Sequence, residues 1–472
     1  MGLCYWSIPI HFAWAETVHL SHGVTVGDVT DSQAVLWART EGPGFVHFRL
    51  NQENKTVPTT ASNDFSAKAL FEKLKPGKKY RYRVWASSHR DAKLSDTPQK
   101  GFFKTAPKPK TPSALTFIWS GDLGGQNVCR DKEVGYWIFD HIVKEKQDFF
   151  VGLGDMIYAD NTCEATGLFG NKQIPGDFPV SQTIEDFWGH WRYNFADPGL
   201  KRLLSRTSYF SVWDDHEVIN DFGPETAHRD DTPLLEVGLK AFLDYNPISP
   251  KRDKLYQTLR WGGHLEMFFL DTRRYRDHNR ATDSPSKTLL GAEQKRWLID
   301  SVSNSDATWK VVVSSVPISV PTGFPVENGR DGWSNFDQET GFEYELTQLL
   351  VKFQEADVRN LLWITTDVHF AAVYEYRALA ESGSKPLRFH EAMVGPLSAG
   401  IYPTDQFDTT FNPSRLFFYA PPEQIRDFDN AKQWMSYGKV QINRAGNLRL
   451  SIVNGLGKTV YTHDLKAEKN HN

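Results

Sequence analysis

The chain has 472 residues, of which 40% are apolar and 13% aromatic, and carries a formal net charge of −4. That length accommodates two or three domains with sizeable cores, and 15 Trp with 31 Phe exclude a disordered chain. The slight acidity excludes a broad nucleic-acid footprint, which needs a basic face, and no apolar run reaches the length of a transmembrane segment.

Leu3 to Trp14 is largely apolar, and Ala13-Trp14-Ala15 before Glu16 fits the small-x-small pattern of a signal peptidase site. Residues 1–15 therefore read as a signal peptide remnant, which makes the mature chain periplasmic or secreted. Lys and Arg are missing ahead of the apolar run, and a buried N-terminal strand is the alternative. Cleavage leaves Cys129 and Cys163, which in an oxidising compartment pair or else stay reduced and buried.

Residues 16–106 read as a small β domain. Gly27-Asp28-Val29-Thr30-Asp31-Ser32 is turn chemistry ahead of the strand Gln33 to Ala38, and Gly42-Pro43-Gly44 precedes another at Phe45 to Leu50. Leu74 to Val84 alternates polar and apolar positions after Pro76-Gly77, in the manner of the tyrosine corner of an immunoglobulin or fibronectin type III sandwich. A hairpin of some other all-β unit is the alternative, but short strands spaced this regularly favour the sandwich. Residues 107–113, rich in Pro and Lys, form a linker.

From residue 114 to 472 strands interleave with helices, the pattern of a layered α/β unit. Strands are expected at Ala114 to Ser120, Phe149 to Leu153, Leu265 to Leu270, Lys310 to Ser315 and Leu361 to Ile364, with a final β segment over Val440 to Val453 and Thr459 to His463. Helical spacing marks Tyr136 to Lys146, Ile184 to Tyr193, Leu234 to Tyr245 and a helix starting at Gly291.

Polar clusters follow several of these strands. Gly121-Asp122-Leu123-Gly124-Gly125-Gln126 leaves one carboxylate unobstructed in a Gly-rich turn, although Gly-Asp after a strand is usually a turn or a helix cap. Gly154-Asp155-Met156-Ile157-Tyr158 repeats the arrangement one βα unit later, and the two oxygens of Asp155 suit it to bridge cations. Tyr158 is by residue type more often a packing group than a phenolate ligand. In Trp213-Asp214-Asp215-His216-Glu217, Asp215 is the expected ligand; His216 either donates a proton to a departing alkoxide or hydrogen-bonds a phosphate oxygen, and Asn220 and Asp221 either orient that histidine or reach the second ion. Asp367 and His369, two apart after Leu361 to Ile364, both reach a metal from a strand end. In Asp271-Thr272-Arg273-Arg274-Tyr275-Arg276 the arginines either grip phosphate oxygens or tether loops. Carboxylates and imidazoles released at the ends of successive strands suit a cation pair and in-line phosphoryl displacement.

Taken in order, Gly121-Asp122-Leu123-Gly124-Gly125-Gln126, Gly154-Asp155-x-Ile157-Tyr158-Ala159-Asp160, Trp213-Asp214-Asp215-His216-Glu217-Val218-x-Asn220, Leu270-Asp271-Thr272-Arg273-x-Tyr275-Arg276, Asp367-Val368-His369 and Gly395-Pro396-Leu397-Ser398-Ala399-Gly400 resemble the alkaline phosphatase D (PhoD-like) family. The resemblance implies an α/β metallophosphoesterase with a central β-sandwich flanked by helices, preceded by an immunoglobulin-like domain. It implies exported hydrolases of phosphate mono- and diesters, often in phosphate scavenging, and a site of iron with calcium in which a Tyr phenolate binds the ferric ion. By position, Asp122, Asp155, Tyr158, Asp215, Asp367 and His369 are metal candidates, with His216 and Arg273 as catalytic groups. Well-described members have Cys where this chain has Asp122; a carboxylate there favours harder ions, with manganese or another divalent ion as an alternative to iron and calcium.

The expected reaction is hydrolysis of a small-molecule or lipid phosphoester by a metal-activated water, with His216 assisting the leaving group and Arg273 stabilising the spreading charge. One rival is a phospholipase D-like enzyme acting on lipid or cell-wall diesters, to which the aromatic excess is suited. Another is a non-catalytic surface protein with a structural metal site, although such sites are typically closed by four Cys or His ligands.

Overall fold

The computed structural model describes residues 18–95, 97–230, 232–380 and 385–468. The apolar leader read in residues 1–15 lies outside them. Two large mixed sheets face each other. One has nine strands, in the spatial order Thr459–Leu465, Leu448–Asn454, Ser436–Ile442, Leu115–Ser120, Phe149–Leu153, Ser208–Val212, Leu20–Gly27, Ala34–Thr40 and Ser66–Phe71. The other has seven: Gln257–Trp261, Leu265–Phe269, Trp309–Val313, Leu361–Thr365, Leu387–Met393, Ala371–Ala378 and Pro413–Tyr419.

The central strands of both sheets run parallel, so their carboxyl ends share one edge. Phe149–Leu153, Trp309–Val313 and Leu361–Thr365 are buried at every position. Their largely apolar sequence follows from being covered on both faces, the charged exception being Lys310, whose Nζ donates to the Ala307 carbonyl. Phe149 and Val151 point between the sheets, against Met267, Phe269 and Val311. Phe150, one residue along, joins Trp188, Trp191 and Phe242 in an outer helical layer, which the helices Ile184–Phe195 and Leu235–Tyr245 supply. On the far side Gly291–Ser303 and Glu343–Glu355 cover Phe268, Val312 and Trp363.

Tyr136 to Lys146 is α-helical only over Ile138–Ile142. Its C-terminal part tightens into i−3 bonds at Lys144 and Glu145, and Lys146 turns to φ +56°. Val440 to Val453 is two strands of a hairpin, because Asn443 Oδ1 accepts the N–H groups of Ala445 and Asn447 and closes the turn.

The N-terminal segment forms a β-sandwich whose second sheet is Glu53–Thr59, Gly44–Leu50, Lys79–Ser87 and Gln99–Lys104. Tyr80 Oη accepts the N–H of Lys75 at 2.7 Å, which is the tyrosine corner read from the sequence. The other N-terminal sheet is continuous with the nine-stranded sheet: Val26 pairs with Ser208 and Gly27 with Tyr209 in parallel register. Asp64 seals this joint by accepting bonds from Arg39, Arg192 and Tyr245. Burial pushes its carboxyl up, but the bonds from Arg39 and Tyr245 hold it below the usual value.

Candidate metal centre

Each polar cluster emerges just past a parallel strand, where the chain must turn sharply away from the sheet. Asp122, Asp155, Asp367 and His369 all take left-handed backbone angles, with φ of +61°, +52°, +78° and +58°. Asp and His tolerate that region better than most residues, and such conformations concentrate where function over-determines the backbone. Two glycines leave room for the ligands: a Cβ on Gly395 would fall 2.2 Å from Asp122 Oδ2, and one on Gly125 2.3 Å from Tyr158 Cζ.

The turns bring the expected residues together. Ligand atoms of Asp155, Asp215 and His216 lie within 4.8 Å of one another, as do those of Asp214, Asp215 and Asp367, so Asp215 is common to both groups. The His216 backbone N–H donates to Asp155 Oδ1 at 3.1 Å and to Asp215 Oδ1 at 3.0 Å, drawing these carboxylates together. Tyr158 Oη lies 2.9 Å from His369 Nε2, and its ring stacks on His216 with centroids 4.1 Å apart. His369 Nε2 is 3.8 Å from Asp122 Oδ1. The carbonyl of Gly400 takes His369 Nδ1–H at 2.6 Å, which fixes the tautomer and leaves Nε2 as a lone-pair donor. Burial lowers the His369 pKa to about 4, so the ring is neutral.

The electrostatics are unbalanced. Both oxygens of Asp122, Oδ2 of Asp214 and Oδ2 of Asp367 are buried and accept no hydrogen bond. Burial, reinforced by neighbouring carboxylates, pushes Asp122, Asp155 and Asp367 well above the usual carboxylate range. Tyr158 is likewise raised, by burial and then by Asp155. Buried polar groups normally find partners, and several orphaned anionic oxygens in one place fit a cation. Carboxylate, phenol and imidazole donors make up a set suited to hard or borderline ions.

His216 differs from its neighbours. Its Nδ1 donates to Asp160 Oδ1 at 2.7 Å. Burial works against the charged ring, but Asp160 and then Asp215 raise the pKa to about 10, which favours the protonated ring. Asp160 is fixed in turn by the Asn220 N–H. Asp160 lies two residues past Tyr158, and nothing in its local sequence marks it as the partner of His216.

The expectation that Arg273 grips a phosphate needs correction. Its side chain is fully buried. It donates to Asp214 Oδ1 at 2.6 Å and forms two parallel bonds to Asp331, at 2.8 and 2.7 Å. Every direction of the guanidinium is committed to the protein, so it tethers loops beneath the site. Sequence reasoning also passed over Glu217, which is a scaffold and not part of a solvated charge run. Its carboxylate accepts the backbone N–H groups of Asp155, Met156 and Asp214 at 3.0, 2.7 and 2.7 Å. Asp221 N–H holds Asp215 Oδ2 at 2.6 Å.

Above the cluster opens a cleft of about 1120 Å³, lined by Asp155, His216, Asp221, Asp367 and His369 at its floor and by Leu168, Phe324, Tyr402 and Arg426 toward its rim. Helix-flanked facing sheets with acidic residues and histidines at one shared edge define a metallophosphoesterase-like fold. The chain belongs to the PhoD-like phosphatase family: the family model matches residues 117–448, and the model for the family's N-terminal domain matches residues 8–107. It is 25% identical over 393 residues to alkaline phosphatase D of Bacillus subtilis (strain 168), an alignment covering 74% of this chain and 64% of that protein. The chain thus spans slightly less than two thirds of that curated relative. The solved structure of PhoD matches with a TM-score of 0.73 at 20% identity, over 96% of this chain and 93% of that one. Purple acid phosphatase PPD1 from yellow lupin (Lupinus luteus) seeds matches with a TM-score of 0.61 at 13% identity, over 96% and 75%. At these identities both likenesses concern the fold alone.

Proposed function

We propose that the chain is a metal-dependent phosphoester hydrolase acting on mono- or diesters. The observation that carries this reading is the gathering of buried carboxylate oxygens without hydrogen-bond partners, on Asp122, Asp214 and Asp367, around Asp215 at the floor of an open cleft. Asp122, Asp155, Tyr158, Asp215, Asp367 and His369 would hold the cations, with iron and calcium the favoured pair and manganese the alternative. Asp122 in place of a thiolate shifts the preference toward hard ions. Bound cations would supply Lewis acidity toward the phosphoryl oxygens and acidify a water at neutral pH.

The remaining steps belong to the protein. His216, held protonated by Asp160, lines the cleft and delivers its proton to the departing oxygen. Glu217 and Arg273 keep Asp155, Asp214 and Asp215 in register. The disulfide Cys129–Cys163 supports a periplasmic or secreted location, and among the described residues no helix is long and apolar enough to cross a membrane. The proposed division is an immunoglobulin-like unit over 16–106 and a catalytic unit over 114–472.

Asp155→Asn is expected to reduce 4-nitrophenyl phosphate hydrolysis at least about 10³-fold, with unchanged circular dichroism and reduced metal content by elemental analysis. Full turnover in this variant would refute the assignment.

A further inference from the structure

Among the described residues eight large apolar side chains are exposed, and three of them, Leu168, Phe324 and Tyr402, line the one cleft above the acidic cluster. They come from separate loops and are 49%, 68% and 58% exposed. Singly exposed apolar residues need no explanation, but a group of them beside a polar site marks a ligand surface.

Two of the three are linked to the candidate ligand set, Tyr402 by a ring contact and Phe324 through Asp221. The Tyr402 ring lies 5.9 Å from the His369 ring, tilted by 32°. The Phe324 N–H donates to Asp221 Oδ2 at 2.8 Å, and the Asp221 N–H in turn donates to Asp215 Oδ2 at 2.6 Å. Asn220 Nδ2 holds the Phe324 carbonyl at 3.4 Å. The Phe324 end of the aromatic rim is therefore placed by hydrogen bonds that also reach the floor, and the Tyr402 end rests against the His369 ring.

We propose that Phe324 and Tyr402 form a specificity subsite that takes a flat, apolar group carried by the alcohol of the phosphoester. The inference rests on the hydrolase reading for the phosphoryl position. Rings from two separate loops line the cleft whose floor would fix the phosphate, so an aromatic alcohol gains contact with them while its phosphate stays on the cluster. Glu423 and Arg426 are exposed along the same cleft, which matches a ligand entering from water better than a face resting on lipid.

The test compares two phosphonates that cannot be hydrolysed, methylphosphonate and (naphthylmethyl)phosphonate, titrated calorimetrically into the metal-loaded protein. The naphthylmethyl compound is expected to bind at least about tenfold more tightly. Phe324→Ala and Tyr402→Ala are each expected to shrink that ratio about threefold or more, and both substitutions fall at exposed positions that fold readily. A wild-type ratio near one, a ratio unchanged in both variants, or no binding of either phosphonate overturns the subsite. Release of nitrophenolate by the wild-type protein judges the hydrolase reading separately: its absence removes that reading, while the binding ratio still decides the subsite.

Discussion

Two sets of buried carboxylates lie within a few side chains of each other and are treated in opposite ways. Asp331 accepts from Arg273 twice, from Arg276 and from Asn279, and is fully buried. Burial pushes its carboxyl up, yet Arg273 and Arg276 hold it below the usual range. Asp122 is as deeply buried, but no side chain donates to either of its oxygens and burial leaves its carboxyl raised. A fold able to place two guanidinium groups beneath Asp331 forms no such pair with Asp122, Asp155 or Asp367, and Asp155 Oδ1 takes only the His216 backbone N–H. The first set carries its counter-charge in the chain; the second is built for a counter-charge that arrives from outside. Asp215 belongs to both, since Arg273 lies 3.6 Å away and its pKa is lowered while it also faces Asp155 and Asp367.

Removing one carboxylate from each set is the strongest way to break the comparison. Asp331→Asn leaves two arginines buried with their shared acceptor neutralised, and a cost of about 3–5 kcal/mol is expected, independent of metal. Thermal unfolding with and without chelator measures it. A loss that vanishes in the chelated protein would place Asp331 among the metal ligands and merge the two sets.

Metal removal is the next largest effect. If cations hold the bare carboxylates, chelation lowers stability by roughly 3–4 kcal/mol at ion concentrations of about 100 to 1000 times Kd, and returning the ion restores it. Asp122→Asn is expected to lose most of this metal-dependent gain while leaving the chelated protein as stable as wild type or more so, because an uncompensated buried charge has gone. A variant as metal-responsive as wild type would remove Asp122 from the ligand set.

His216→Ala acts on one step only. Hydrolysis of an alkyl phosphate, whose alkoxide needs a proton, is expected to fall about 10²-fold or more, whereas 4-nitrophenyl phosphate loses far less. Equal losses on both substrates would make His216 a ligand and not an acid.

Much of the centre was legible because parallel strands buried on both faces are mostly apolar within and carry their polar clusters at their ends. Asp155, Asp215 and Asp367 stand out for that reason, and the Tyr80 corner is marked by Pro76-Gly77 just before it. Residues that act on the backbone were not legible. Glu217 looks like one more acid in a charged run, and only the fold shows its oxygens on three N–H groups. Asp331 follows no strand, so nothing local distinguishes it from turn chemistry. The strand Leu387–Met393 escaped notice because Arg388, His390 and Glu391 interrupt its apolar run. Glu391 is nonetheless buried, bonded by Tyr376, Thr365 and the Ile318 N–H. Pairing of Val26 with Ser208 joins segments too distant in sequence for any local pattern to announce.

The smallest and most diagnostic effect is the pH dependence of the chelated protein, where the two sets carry opposite signs. Asp122, Asp155 and Asp367 have folded pKa values above their unfolded ones. Their contribution is fully present below the unfolded carboxylate pKa of about 4 and is lost as pH rises through the folded values. Asp331 and Asp64 have lowered folded values, so their contribution is present above about pH 4 and is lost as pH falls through those values. Chelated protein is therefore expected to gain a few degrees in Tm between pH 7 and pH 5, then to lose stability below pH 4. Metal-loaded protein should lack the gain, because bound cations keep the bare carboxylates ionised. A chelated protein whose Tm stays level between pH 7 and pH 5 would mean that these carboxylates find a counter-charge within the fold, and the distinction between the two sets would disappear.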